Sequence, residues 1–435
     1  MPVSALILQE VLGIIMVAAE LSTGLGAIMT RAELTETIRN GENSFVEFKL
    51  DSIENFKLAR ELVAFANAGG GRVLLGVTDD GTVAGITRPN LEEWVMTTCR
   101  DKIRPELVPY FQYIQDVEPG KGVGIVTVLR GATVHALWHN GHRTYFTRVG
   151  SQSRDASQTE LRRIFQQRGE LRAEIMPVSG TSIKNLDFLR LLDCFSRARR
   201  QETPDDNDKE GWQTLLVNTE LLSEEEGACT MAGLLLFGEK PTRFIPHAAV
   251  DAAAYPGTEK DYSALERMTM RNPLTALFRK NETLKVVDPG LVEEVVYFVR
   301  RNTGVTSYLQ DAIRIDRPAY PEEVVREAIV NALVHRDYTM SGTTIEVSVY
   351  SDRIEIISPG RLPNGITPAR MRAGCRSTRN QLLVDTMRDY TYLEHTGLGV
   401  PRKLIKGMLA HNGTEPDLIE QDERFIVRLW KQKKA

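Results

Sequence analysis

Short apolar runs separated by glycine-rich and acidic turns fill the first third of the chain, a pattern that predicts strands and helices in alternation. Thr30, three residues before Glu33, predicts a capped helix start. Phe45–Leu50 alternates, with Phe45, Glu47 and Lys49 on one face and Val46 and Phe48 on the other, as a strand does. A helix is predicted from about Asn55 to Asn67, broken by Ala68-Gly69-Gly70-Gly71. Arg72–Thr78 then reads as a strand, with Asp79-Asp80-Gly81-Thr82 as a hairpin turn into Val83–Ile86. Further strands are predicted at Val123–Leu129 and Arg143–Arg148, and a helix at Gln158–Gln167.

Met176–Ile183, with its Pro, Gly, Ser and Thr, predicts a linker. Beyond it come a helix near Asp187–Arg200, a polar loop at Glu202–Glu210, an apolar strand at Thr230–Phe237 and a largely helical Arg279–Arg301. Pro321 opens a helix that runs to about His335. Strands at Thr343–Tyr350 and Arg353–Ile357 flank Ser351-Asp352 as a hairpin, and His395-Thr396-Gly397-Leu398-Gly399 leads into a helix near Val400-Pro401. The expected architecture is α/β: one domain over 29–175, a mixed connector over 186–318 and a last domain over 319–432.

Composition narrows the class. The chain has 435 residues, 42% hydrophobic and 26% charged, enough for two or three domains with real cores, which excludes a disordered chain. Four scattered cysteines (Cys99, Cys194, Cys229 and Cys375) form no C-x-x-C pair, which points to a reducing cytoplasm and away from a zinc site. The apolar run Val11–Ala19 is bracketed by Glu10 and Glu20, too short for a membrane span, and no Lys or Arg precedes Arg31 as a secretory signal needs. An amphipathic extension and an upstream start codon, with Met29 as the true beginning, are the two readings of 1–28, and the second is favoured.

The net charge of −4 hides a strong asymmetry. Between Arg130 and Arg172 eight arginines face three acids, a local +5, whereas Asp205–Asp261 holds twelve acids and four bases, a local −8. Around the Gly150 turn, Arg148 and Arg154 sit among aromatics and hydroxyls, a mixture suited to phosphates and unpaired bases. The plainer alternative for this strip is a solvated face.

Two constellations carry chemistry. In the Pro321-initiated helix, Glu327, Asn331 and His335 are four apart and share one face, while Val324, Val325, Ala328, Ile329, Ala332 and Leu333 form the core stripe. The Asn331 amide oxygen suits Mg²⁺ and the Glu327 carboxylate suits a water-orienting base. A Gly-x-Gly at a helix start, here Gly397 and Gly399, presents backbone N–H groups to an anion. Near the start, Glu42, Glu47 and Asp79 could converge as a divalent-cation site able to activate water against a phosphodiester, or Glu47 and Lys49 could form a simple ion pair.

The motif Glu327-Ala-Ile-Val-Asn331-Ala-Leu-Val-His335-Arg-Asp-Tyr338 resembles the N-box of GHKL ATPases, in the variant attached to bacterial Schlafen-type AlbA domains. Asp352-Arg-Ile-Glu-Ile-Ile-Ser-Pro-Gly-Arg-Leu-Pro363, Arg379-Asn380, Glu394-His-Thr-Gly-Leu-Gly-Val-Pro401 and Thr230-Met-Ala-Gly-Leu-Leu-Leu-Phe-Gly238 resemble the same variant. Gly41–Lys49, Ala64–Gly71 and Gly76–Asp79 resemble the Schlafen-type AlbA domain. The resemblance implies a Bergerat-type α/β sandwich at the C-terminal end, with ATP as ligand, Asn331 on Mg²⁺, Glu327 as hydrolytic base, and Gly360, Gly397 and Gly399 around the nucleotide. The usual Asp-x-Gly-x-Gly box, whose Asp reads adenine, is replaced by Ser358-Pro359-Gly360.

For the N-terminal part the resemblance implies DNA or RNA binding, and Lys49, Arg148 and Arg154 are the candidate nucleic-acid contacts. Some relatives are metal-dependent endoribonucleases that use two Glu and one Asp, which would be Glu42, Glu47 and Asp79 with Mg²⁺ or Mn²⁺. The leading expectation is an ATP-binding, nucleic-acid-binding regulator, cytoplasmic, without a membrane partner and with homo-oligomerisation open. An ATP-gated nuclease and a scaffold with a degenerate nucleotide pocket are the alternatives. Relatives labelled after the RecG helicase notwithstanding, no G-x-x-x-x-G-K-[ST] loop is present, so helicase action is not expected.

Overall fold

The computed structural model describes residues 28–130, 133–280, 284–310, 313–363, 366–375, 377–393 and 399–432. The 1–27 extension and Gly397 lie outside the described residues. The chain divides into two compact units, Met1–Glu170 and Leu171–Ala435. Both mix helices and strands, so the chain is α/β.

The first unit is built on four strands, β1 (Val46–Lys49), β2 (Gly71–Leu75), β4 (Tyr110–Glu118) and β5 (Lys121–Val128), in the order β1-β2-β5-β4. β1 and β2 are parallel, with Glu47 opposite Val73, and a parallel pair needs a crossover, supplied by the Asn55–Asn67 helix. The alternation predicted for β1 sets the layers. Val46 and Phe48 pack with Leu34, Leu74 and Ile125 on one face of the sheet. Leu58, Leu62 and Phe65 of the crossover helix cover Val73, Leu75 and Val126 on the other. Thr30 and Glu33 form the expected capping box on the Arg31–Asn40 helix. Short pairs complete the unit: β3 (Ile103–Arg104) with β6 (Ala136–His139) and β7 (His142–Thr144), and β8 (Phe146–Val149) with β9 (Gln152–Asp155).

In the second unit the stretches 186–318 and 319–432 share one six-stranded sheet. Its strands are β10 (Val250–Ala254), β11 (Glu266–Met270), β16 (Ile345–Val349), β17 (Arg353–Pro359), β18 (Asp417–Gln421) and β19 (Arg424–Trp430), in the order β11-β10-β16-β17-β19-β18. β10 and β16 are parallel, joining Val250 to Ile345, and the β16–β17 hairpin turns at Ser351-Asp352 as expected. The Leu291–Thr303 and Glu322–Val334 helices pack on this sheet, with Val295, Phe298, Val324, Ala328 and Leu333 sharing a core with Val347, Ile356 and Leu429. Met176–Val178, expected in a linker, hydrogen-bonds to Cys229 and Met231 within this unit.

Two local expectations are corrected. Met231–Phe237 is a helix, not a strand: Thr230 Oγ1 accepts from the Gly233 amide at 3.1 Å and caps it. Every residue from Ala232 to Phe237 is buried, so no periodicity marked it as a helix. The Arg279–Arg301 stretch begins as a hairpin, β12 (Leu277–Lys280) with β13 (Leu284–Asp288), and becomes helical only after Asp288-Pro289-Gly290. A second hairpin, β14 (Val305–Gln310) with β15 (Ile313–Pro318), leads to Pro321. Among the described residues no helix is long and apolar enough to cross a membrane.

Candidate functional site

The polar face predicted for the Glu322–Val334 helix lines a cavity in the second unit. Its walls are mostly apolar, with Ala328, Ile356, Leu362, Val400 and Leu404 among them, and Glu327, Asn331, His335 and Ser358 are the polar groups on the helix side. Helical spacing alone brings Glu327 and Asn331 together: Asn331 Nδ2 donates to the Glu327 carbonyl at 2.7 Å and to its Oε1 at 2.9 Å. That orientation leaves the Asn331 Oδ1 accepting no hydrogen bond among the described residues. Lys403 Nζ stands 3.7 Å from Glu327 Oε2, a cation that sequence reading missed because it lies 76 positions away.

Gly399 closes the carboxylate side of the cavity. A Cβ there would fall 1.9 Å from Glu327 Oε1, so only glycine lets this turn approach the carboxylate. Gly360, at φ +115°, stands where a Cβ would fall 2.6 Å from Asp337 Cβ and 2.7 Å from Arg379 Nη1. The Arg379-Asn380 pair works at the far end of the helix. Arg379 Nη1 donates to the His335 carbonyl at 2.7 Å, and Asn380 Nδ2 donates to the Val334 and Arg336 carbonyls at 2.8 and 2.9 Å. These side chains satisfy carbonyls that a helix end leaves open. Ser358, where the resembling family carries Asp, donates to the Ala332 carbonyl at 2.8 Å. An uncharged amide oxygen and a carboxylate in one apolar cavity fit a magnesium–nucleotide ligand, because Mg²⁺ prefers oxygen donors and keeps several waters.

His335 completes the helix row. Burial, reinforced by Arg379 and Arg388, pushes its imidazole down to about 4, so it is neutral at pH 7. In the unfolded chain it titrates near 6.5, so between pH 6.5 and 4 the unfolded state holds the extra proton and stability falls with pH. The expected loss from this residue is about 3 kcal/mol, complete below pH 4. His247, also lowered by burial and by Arg336, acts in the same direction. Chemical denaturation of the full chain at pH 7 and pH 4.5, with His335→Gln for comparison, checks this; an equal loss in both proteins would contradict it.

The first unit brings its predicted acids together around chain cations. Lys49 Nζ is 2.6 Å from Glu47 Oε1 and 3.7 Å from both Glu42 Oε1 and Asp79 Oδ1. Glu47 Oε2 meets Arg148 Nη2 at 2.7 Å, and Arg148 Nη1 is 3.4 Å from Glu61 Oε2. Burial raises the Glu47 carboxyl, with the fields of Lys49 and Arg148 opposing and Glu61 adding. Burial works against the Lys49 ammonium, but its bond to Glu47 and the nearby Glu42 and Asp79 raise it on balance. Among the described residues no group of three or more His, Cys, Asp or Glu is arranged to hold a metal ion.

The basic strip is partly consumed inside the fold. Arg148 has a side chain only 1% exposed, lies over the Phe65 ring and donates to the Asn43 and Val46 carbonyls. Arg168 is buried and donates to the Ala66 carbonyl. Arg154 is exposed and paired with Glu160 at 3.0 and 2.6 Å, a bond that lowers the Glu160 carboxyl to about 2. Arg143 and Arg162 face solvent, and Arg143 lies over the half-exposed Trp138 ring.

Residues 42–157 match the family model described as "Schlafen, AlbA_2", which contains Glu42, Glu47, Lys49, Asp79, Arg148 and Arg154. Residues 342–429 match "Putative ATP-dependent DNA helicase recG C-terminal", an ATPase-like model that contains Gly360 and Gly399 and begins after the Glu322–Val334 helix. The chain therefore joins a Schlafen AlbA_2 domain to a C-terminal ATPase-like domain. No curated protein matches the sequence. Among solved structures, the DIP2311 protein from Corynebacterium diphtheriae is 19% identical, over 89% of this chain and 75% of that one, with a TM-score of 0.43.

Proposed function

We propose that this chain is an ATP-linked, nucleic-acid-binding regulatory protein, in which nucleotide in the second unit controls DNA or RNA binding by the first. The observation that carries the reading is the apolar cavity holding Glu327 and Asn331 against Gly399, combined on one chain with a Schlafen AlbA_2 domain. Asn331 Oδ1 would hold Mg²⁺, which when bound neutralises phosphate charge and withdraws electrons from the γ-phosphoryl. Asn331 Nδ2 meanwhile fixes the Glu327 carboxylate, which orients a water in the cavity. Gly360 and Gly399 leave room for the nucleotide. On the first unit, Arg143, Arg154 and Arg162 offer phosphate contacts beside the Trp138 ring, a pairing suited to single strands.

The test is polynucleotide retention by the full chain with and without ATP·Mg. A nucleotide-dependent change in affinity is expected, together with a steep fall of binding as salt rises. Asn331→Ala should abolish both the nucleotide effect and the rise in melting temperature with ATP·Mg. A melting temperature that ignores ATP·Mg, or binding that ignores nucleotide, would refute the reading.

A further inference from the structure

The three carboxylates that suggest a metal cluster already surround a cation, and that cation belongs to the chain. Lys49 Nζ lies where Glu42, Glu47 and Asp79 converge, in contact with Glu47 and 3.7 Å from the other two. Two of the three acids also have a second charged or polar neighbour. Glu47 Oε2 is ion-paired with the Arg148 guanidinium at 2.7 Å, and Glu42 Oε1 accepts the Phe48 amide at 2.8 Å. Asp79, with its side chain 85% exposed, is the most exposed of the three. Adding Glu61 and its partner Arg60, four carboxylates meet three chain cations, Lys49, Arg60 and Arg148. A divalent ion would have to displace an ammonium already bonded within a few ångströms, and would be repelled by a buried guanidinium on the far side of Glu47. The donors therefore do not fit a divalent cation.

We propose that Lys49 is the resident counter-ion of this centre and excludes divalent cations from it, so that Glu42, Glu47 and Asp79 do not form a metal-dependent nuclease site. The acids instead hold strand β1 against its surroundings. This inference is independent of the ATP reading, because it concerns the first unit and needs no nucleotide.

The test is a Mn²⁺ titration of the full chain without nucleotide, followed by the loss of the free-ion electron paramagnetic resonance signal. The wild-type titration is expected to be unchanged by Glu47→Gln. Lys49→Met is expected to gain one Mn²⁺ bound at least tenfold more tightly, and Lys49→Met with Glu47→Gln to lose it again. Lys49→Arg, which keeps the positive charge, should still exclude the ion. A Mn²⁺ ion held by the wild-type chain and released by Glu47→Gln overturns the proposal. So does a Lys49→Met protein that folds, by circular dichroism, yet gains no ion, since Lys49 would then not be the excluding group. Should Lys49→Met fail to fold, the wild-type titration set against Glu42→Gln and Glu47→Gln decides alone.

Discussion

Replacing Arg148 by alanine is expected to destabilise the first unit by about 3–5 kcal/mol, the range for removing one partner from a buried ion cluster. The guanidinium is 1% exposed and serves five acceptors at once: Glu47, Glu61, Ser153 and the carbonyls of Asn43 and Val46. These come from the loop before β1, from β1 itself, from the crossover helix and from β9, so one side chain ties four segments together. Its loss leaves Glu47 and Glu61 as buried charges, and Glu61 keeps only Arg60 and the Ser153 hydroxyl. Lysine should not rescue the variant, because a single ammonium cannot reproduce a planar fork with separate bonds to two carboxylates. Chemical denaturation of the full chain, with hydrogen exchange read on β1 and β8 amides, checks the effect. A loss under about 1 kcal/mol, with a flattened salt dependence of polynucleotide binding, would make Arg148 a phosphate contact instead.

The same arginine shows where sequence reading stops. An Arg in a strip of eight is usually exposed, and nothing local marks the one that folds inward over the Phe65 ring. Its partners Glu47 and Glu61 are 101 and 87 positions away, so its role depends on how β8 crosses the helix, which no local pattern encodes. Lys49, two residues from Glu47 on the same strand face, was legible as an ion pair from period-two alternation alone. Glu327 and Asn331 were legible for the analogous helical reason, because four residues close one turn. The Thr30–Glu33 capping box and the β16–β17 turn were legible too, since each is set by neighbours within a few residues. The Met231–Phe237 helix was not, because full burial erases the contrast between faces.

Gly399→Ala is expected to weaken ATP·Mg binding by at least about tenfold, equivalent to about 1.4 kcal/mol, while leaving the fold intact. The reason is a single distance. A methyl group 1.9 Å from Glu327 Oε1 and 2.8 Å from its Cδ cannot coexist with the carboxylate where it stands. The helical Gly399–Ile405 segment and the Glu322–Val334 helix are both packed on the core, through Leu404 on one side and Ala328 and Leu333 on the other, so the carboxylate has to move. Moving it breaks the 2.9 Å bond from Asn331 Nδ2 and leaves the amide held only by its 2.7 Å bond to the Glu327 carbonyl. One methyl thus disturbs two groups assigned different roles, and hydrolysis, if the chain turns ATP over, should suffer more than binding. Gly257→Ala is the control, because a Cβ there meets nothing within 4 Å. Calorimetric titration of both variants with ATP·Mg measures the difference. If Gly399→Ala binds nucleotide as the wild type does, Glu327 and Gly399 do not border the ligand, and the nucleotide has to be sought away from this helix.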